Sequence, residues 1–180
     1  MDDFRQIIGK KIIDIYLEPL AIDNGIADTQ IHSDFIYIGS GAMFIKTEAD
    51  LYIIGSLHST QLATDYLGIK ERNDLLPNSL TWNQTINELS SFKNKLICGI
   101  QLNWNIEKWT NYGHNEKYLE SITISFEKGH SLSIFVGDFE SNEANNEINF
   151  LAGHSSIILF TNQDNFKKYK LNQGHETVNI

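Results

Sequence analysis

The sequence predicts a single α+β domain over residues 1–180 that is mainly antiparallel β-sheet, with about seven to nine strands and two or three short helices. Three observations support this class. Apolar residues repeat at the period of two that half-buried strands require. Ten Phe, seven Tyr and three Trp suit pleated, half-buried surfaces. With 180 residues, 41% of them hydrophobic, the chain can bury one core.

Eight segments carry the strand pattern, and four carry weaker helical signals. The predicted strands are 12–17, 35–38, 43–45, 51–54, 96–102, 122–126, 132–136 and 157–160. The predicted helices are 60–70 (ended by Gly68), 81–89 (capped by Thr81), 162–169, and one short turn within 2–8. The polar stretches 103–118 and 137–149 are punctuated by aromatic or apolar residues, which indicates ordered surface loops.

The halves 1–80 and 81–180 resemble each other weakly, which suggests an internal duplication. At an offset of 85, Ile12, Ile15 and Leu17 align with Ile97, Ile100 and Leu102. At an offset near 81, the hairpin residues Met43, Ile45, Leu51 and Ile53 align with Ile122 or Ile124, Phe126, Leu132 and Ile134. A chance likeness between β-rich segments is the alternative.

Alternation also predicts the register of the second hairpin. Phe126 is expected opposite Leu132, Ile124 opposite Ile134 and Ile122 opposite Val136. This pairing places every apolar residue on one face.

Charge and composition narrow the partner and the compartment. A net charge of −9 and a pI near 5.0 argue against nucleic acid, which requires a basic face, and suit a basic protein partner. The start Met1-Asp2-Asp3-Phe4-Arg5 does not resemble a signal peptide, and no apolar run approaches the length of a membrane span. We therefore expect a cytoplasmic protein that does not interact with membranes.

Four of the six histidines follow a glycine, among them His130 and His154. Turns could bring such imidazoles together around a metal, but local ligand spacing is missing, and a turn glycine followed by a strand explains the pattern more simply. No catalytic signature is present, so we predict no enzyme activity and no cofactor. The alternatives are a small metal-dependent or hydrolytic enzyme using His130 and His154, or a small-molecule-binding module.

The strongest candidate for a binding surface is acidic. The carboxylates lie in the stretch 137–149, and aromatic residues of 103–118 could anchor a partner. The predicted contact residues are Asp138, Glu140, Glu143, Glu147, Trp104, Trp109 and Tyr112. A solvated acidic loop, and aromatic residues that cover the core, are the plainer interpretation of the same residues.

The segment from Ile122 through Glu127-Lys128-Gly129-His130-Ser131 to Asp138, continued over 152–160, resembles small bacterial immunity proteins of polymorphic or contact-dependent toxin systems. The resemblance implies an acidic, cytoplasmic α+β protein that binds and blocks a toxin domain. It assigns no site residue of its own.

Overall fold

The computed structural model describes residues 4–18, 29–39, 42–59, 64–71, 87–107, 116–142, 147–169, 171 and 176–180. Within these ranges the chain forms eleven strands, two short α-helices, and 3₁₀ turns at Phe4–Ile7 and Glu127–Gly129. The strands are β1 (Ile12–Glu18), β2 (Thr29–Ile31), β3 (Ile36–Ile38), β4 (Ala42–Thr47), β5 (Leu51–Ser59), β6 (Thr64–Glu71), β7 (Ile97–Glu107), β8 (Glu116–Phe126), β9 (Ser131–Asn142), β10 (Glu147–Phe160) and β11 (Glu176–Asn179). The helices are α1 (Asn87–Ser90) and α2 (Gln163–Lys168). The predicted class, α+β with mainly antiparallel sheet, is confirmed.

The strands form two antiparallel sheets that enclose one main core. The smaller sheet has the order β1-β4-β5-β6, and the larger has the order β11-β7-β8-β9-β10-β3-β2. A single cluster of buried side chains draws on both sheets, with Met43, Ile45 and Ile54 on one side and Ile124 and Ile134 on the other. Burial of this apolar surface is the main driving force for joining the sheets.

A second apolar cluster covers the other face of the larger sheet. Its buried members are Phe35, Tyr37, Phe135, Ile158, Phe160, Phe166 and Leu171. Phe166 comes from α2, which is capped by Asn162: the Asn162 side-chain oxygen accepts a hydrogen bond from the backbone N–H of Asp164 at 2.8 Å. The larger sheet is therefore apolar on both faces around β9 and β10. The helix predicted over 162–169 and the turn within 2–8 are present.

The two sheets meet at an approximate twofold junction. The backbone N–H of Gly9 donates to Ile97 O at 2.9 Å, and that of Asn94 donates to Ile12 O at 2.7 Å. Ile12 N–H donates to Lys95 O, and Ile97 N–H donates to Lys10 O, each at 3.0 Å. Adding 85 to either residue number in the first half gives its equivalent in the second half. These hydrogen bonds are therefore reciprocal.

Backbone details on either side of the junction repeat at the same offset. Gly9 has φ +78° and Asn94 has φ +63°, so both lie in the left-handed region. The pairing of β1 with β4 shifts register between Ile12 and Asp14, and that of β7 with β8 shifts between Ile97 and Gly99. The duplication of the halves 1–80 and 81–180 stays a prediction. The twofold junction is the arrangement that two copies of one folding unit would give.

The register shows which residues of the two hairpins are equivalent. Ile45 occupies the position of Ile124, because each lies opposite the corresponding strand residue, Ile15 or Ile100. Ile54 likewise occupies the position of Ile134. The offsets in the hairpins are thus 79 and 80 rather than 81.

The predicted register of the second hairpin is wrong by two residues. Ile122 lies opposite Ile134, and Ile124 lies opposite Leu132. The turn between the two strands is shorter than expected, because Phe126 N–H donates to His130 O at 2.8 Å across the 3₁₀ turn Glu127–Gly129. A shift of two residues leaves each side chain on its face, so alternation alone could not detect it.

The helix predicted over 60–70 is also wrong over its described part, which is strand β6. Gly68 does not end a helix; it lies opposite Gly55 in the ladder with β5. Leu67 and Ile69 are buried beside exposed Lys70, the alternation of a strand with one face in the core. Of the helix predicted over 81–89, the structure describes only the end, in α1, and residues 81–86 lie outside the described ranges.

In their described parts, the two stretches predicted as surface loops are strand. β7 continues to Glu107 and β8 begins at Glu116, while β9 continues to Asn142 and β10 begins at Glu147. Polar residues on one face of these strands gave the segments the composition of loops. The longest helix in the described part of the chain has six residues, too few to cross a bilayer.

A substitution at Gly137 tests how closely the larger sheet is packed. A Cβ at this position would lie 2.3 Å from Phe135 Cε1 and 2.4 Å from Leu151 O. We expect Gly137→Ala to lower the free energy of unfolding by about 1–3 kcal/mol through overpacking. Gly99→Ala is the control, because its nearest neighbour would be Ile180 O at 3.4 Å. Equal urea midpoints for the two variants would contradict the expectation.

Substitutions at Gly9 test whether positions 9 and 94 are equivalent. Nothing lies within 4 Å of a Cβ built there, so only the backbone conformation opposes a side chain. We expect Gly9→Ala to cost about 1 kcal/mol, and Gly9→Asn to cost less because asparagine tolerates the left-handed region and occupies the equivalent position 94. Urea unfolding measures both variants. A larger loss for Gly9→Asn than for Gly9→Ala would count against the equivalence.

Candidate functional site

The larger sheet divides at the junction of β8 and β9. Pairing between these strands ends at Ser121 and Phe135. Beyond that point, within the described residues, β8 pairs only with β7, while β9 pairs only with β10. We call this division the fork, and we call residues 137–142 and 147–152 of the β9–β10 hairpin the acidic arm.

The register gives the acidic arm two unlike faces. On one face, Asp138 lies opposite Leu151 and Glu140 opposite Asn149. Glu147 follows on the same face, because it lies two residues before Asn149. Glu140, Glu147 and Asn149 are exposed, and Asp138 is half-buried. This face therefore presents carboxylates to solvent.

The other face of the acidic arm is aromatic and packs against the second apolar cluster. Phe139 lies opposite Phe150. The Phe35 ring makes edge contacts with both, at centroid distances of 5.1 and 5.2 Å, and Phe150 contacts Tyr169 at 4.8 Å. Aromatic pairs of this geometry contribute beyond their buried area. The aromatic face thus fixes the carboxylate face in position.

Asp34 joins α2 to the segment that carries Phe35. Its Oδ2 lies 2.7 Å from Lys168 Nζ and accepts a hydrogen bond from the Tyr169 hydroxyl at 2.7 Å. Lys168, and then Tyr169, hold the pKa of the Asp34 carboxyl below its ordinary value. The interaction secures the helix that covers the aromatic cluster.

The predicted contact residues are only partly brought together. Asp138, Glu140 and Glu147 share the face of the acidic arm, whereas Trp104 lies on β7 opposite Leu119. Trp104 is half-buried and packs against the main core, as the plainer interpretation of the aromatic residues holds. Trp109, Tyr112 and Glu143 lie outside the described residues.

The backbone positions of His130 and His154 lie at different levels of the β9–β10 hairpin. His130 is exposed at the turn before β9, while His154 lies within β10, in the irregularity between the pairs Ala152–Gly137 and Ile157–Val136. Six residues of β9 separate these levels, about 20 Å at the rise of a strand. Among the described residues, no three His, Cys, Asp or Glu side chains converge as metal ligands would.

A buried carboxyl, which the sequence analysis missed, lies at the fork. Glu120 is 7% exposed and is the first residue of β8 beyond the pairing with β9. It stands in a bulge, because Asn103 pairs with Ser121 and the next residue, Trp104, pairs with Leu119. The extra residue changes the alternation, so no periodic pattern in the sequence marks Glu120 as buried.

Both hydrogen bonds to Glu120 use the same oxygen. Asn105 Nδ2 donates to Oε1 at 2.9 Å, and the Tyr118 hydroxyl donates to Oε1 at 3.3 Å. Burial raises the pKa of Glu120 above its ordinary value, while the two hydrogen bonds oppose the shift. None of the cations in the described residues pairs with this carboxyl.

A chain of hydrogen bonds holds the strands beside Glu120. Thr177 Oγ1 donates to Asn103 Oδ1 at 3.0 Å, and Asn103 Nδ2 donates to Ser121 Oγ at 3.1 Å. Ser121 Oγ donates in turn to Leu171 O at 3.2 Å. These contacts join β11, β7 and β8 to the segment after α2, so hydrogen bonds hold β8 in position where it enters the fork.

No family model, curated protein or solved structure matches this chain.

Replacing the buried carboxyl should stabilise the protein at neutral pH. Because its pKa is raised on folding, Glu120 favours the folded state fully below the ordinary value of 4.5, and this contribution is lost as the pH rises through the raised pKa. We expect Glu120→Gln to raise the free energy of unfolding at pH 7 by on the order of 1 kcal/mol. The gain should shrink as the pH falls through the raised pKa toward 4.5, and it should be lost below that value.

Urea unfolding at several pH values measures this effect. Glu48→Gln, at an exposed position in the β4–β5 turn, is the control and should change stability by less than about 0.5 kcal/mol. Lower stability of Glu120→Gln at pH 7 would mean that the charged carboxylate stabilises the fold, contrary to the expectation.

Proposed function

We propose that this chain is a non-enzymatic binding protein, an immunity protein that binds and inhibits a cognate bacterial toxin in the cytoplasm. The observation that carries the proposal is the two-faced acidic arm. Its carboxylate face is exposed, and its aromatic face is packed into the protein. A surface held in this way loses little conformational entropy on binding.

The mechanism is steric and electrostatic occlusion. A toxin domain that acts on nucleic acid or another anionic substrate carries a basic active site, and a chain with a net charge of −9 attracts such a surface over long range. Asp138, Glu140 and Glu147 would meet the basic site and exclude its substrate. Complementary charge of this kind mainly raises the association rate and selects the partner.

The proposal predicts that a neighbouring gene encodes a toxin domain. The test is co-expression of that domain with this chain, followed by kinetic measurement of the purified complex. We expect Glu140→Lys combined with Glu147→Lys to slow association about tenfold at low salt, because both charges lie on the carboxylate face. The effect should diminish as the ionic strength rises.

A matched control separates the acidic arm from net charge. Glu48 and Glu88 are exposed in the β4–β5 turn and in α1, so Glu48→Lys with Glu88→Lys makes the same change in net charge elsewhere. Equal slowing by both double variants would show that only net charge matters. Failure to form any complex with the toxin would refute the proposal itself.

A further inference from the structure

Glu120 is the only acidic side chain among the buried polar residues in the part of the chain that the structure describes. Asp34, Asp50 and Glu176 each have a lysine partner, at Lys168, Lys10 and Lys117 respectively, but Glu120 has none in the described residues. Burial of a carboxylate without a cation is costly, and proteins normally avoid it or compensate for it. The position therefore needs an explanation beyond packing.

The second carboxylate oxygen of Glu120, Oε2, offers an explanation for this position. Oε1 accepts both hydrogen bonds, from Asn105 and Tyr118, and Oε2 accepts none from the described residues. Within those residues, His32 Nε2 is the only fully buried side-chain polar atom without a partner. Oε2 is therefore not fully enclosed, and it can accept a donor that approaches from outside.

Glu120 lies at the fork, where β8 leaves β9. Its side chain shares a face of the larger sheet with Asn105, whereas Asp138 and Glu140 project from the other face of the acidic arm. The net charge of −9 attracts a basic partner to the whole protein, and a cation that reaches the fork meets a buried carboxylate there. Charge–charge attraction is stronger there than at the exposed surface, because less water screens it.

We propose that Glu120 Oε2 receives the guanidinium group of an arginine side chain from the partner protein. The inference rests on the proposed function in one respect, that the partner is a basic protein. Arginine suits the position better than lysine, since its guanidinium is planar, more weakly hydrated and always charged. Its N–H groups would donate to Oε2 while Asn105 and Tyr118 hold Oε1.

The test uses the isolated protein and a small probe, so it does not depend on the toxin. N-acetyl-arginine amide is titrated at pH 7 and followed by the backbone amide resonances in two-dimensional NMR spectra. We expect saturable shifts centred on Asn105 and on residues 118–121. N-acetyl-citrulline amide, which replaces the guanidinium with a neutral urea of the same shape, should leave these resonances unchanged.

Two variants decide whether Glu120 is responsible. Glu120→Gln should weaken probe binding at least about tenfold, since a neutral amide replaces the paired carboxylate. Glu48→Gln removes one charge at an exposed position of the β4–β5 turn, outside the fork and the acidic arm, and should change the affinity less than about twofold. Retained resonance dispersion in Glu120→Gln shows that the loss does not come from unfolding.

Three outcomes would overturn the inference: no shifts at the fork, unchanged binding by Glu120→Gln, or equal weakening by both variants. The toxin experiment distinguishes this failure from failure of the proposed function. Toxin binding that is sensitive to the acidic arm but insensitive to Glu120→Gln would keep the function and remove the arginine site. Probe binding without toxin binding would keep the arginine site and remove the proposed function.

Discussion

The two sheets depend on the reciprocal backbone hydrogen bonds between 9–12 and 94–97. Each half donates from the residue in the left-handed region, Gly9 or Asn94, to the first residue of the strand in the other half. These hydrogen bonds hold the backbone at Ile12 and Ile97, which are buried, so the entry to one sheet sets the position of the other. The main core then forms where the facing apolar residues meet.

Added strands at the edges of the larger sheet produce the candidate site. Among the described residues, the smaller sheet has four strands, whereas the larger one gains β11 at one edge and, from the first half of the chain, β3 and β2 at the other. β3 pairs with β10 and supplies Tyr37 to the second apolar cluster. That cluster supports the aromatic face of the acidic arm, so carboxylates can project from the opposite face without loss of order.

Stability of the isolated fold and the proposed arginine site make opposite demands on Glu120. A bulge turns the residue toward Asn105 and Tyr118, and the resulting burial disfavours its charge. A neutral residue would suit the isolated fold better. A carboxylate suits a site that is completed by a cation from a partner, because the buried pair then satisfies the charge that folding left without one.

The sequence by itself determined the class of the fold, the position of eight strands, the 162–169 helix and the acidic composition of the arm. It could do so because strand alternation and helix capping are local. Only the tertiary structure decided the two-residue register shift, the assignment of β6 and the burial of Glu120. Alternation specifies which face a side chain occupies, and a register shift of two residues preserves that face. Gly68 is as compatible with the end of a helix as with its observed place opposite Gly55 in a strand. The bulge at Glu120 interrupts the period of two, and no residue pattern in the sequence indicates where it occurs.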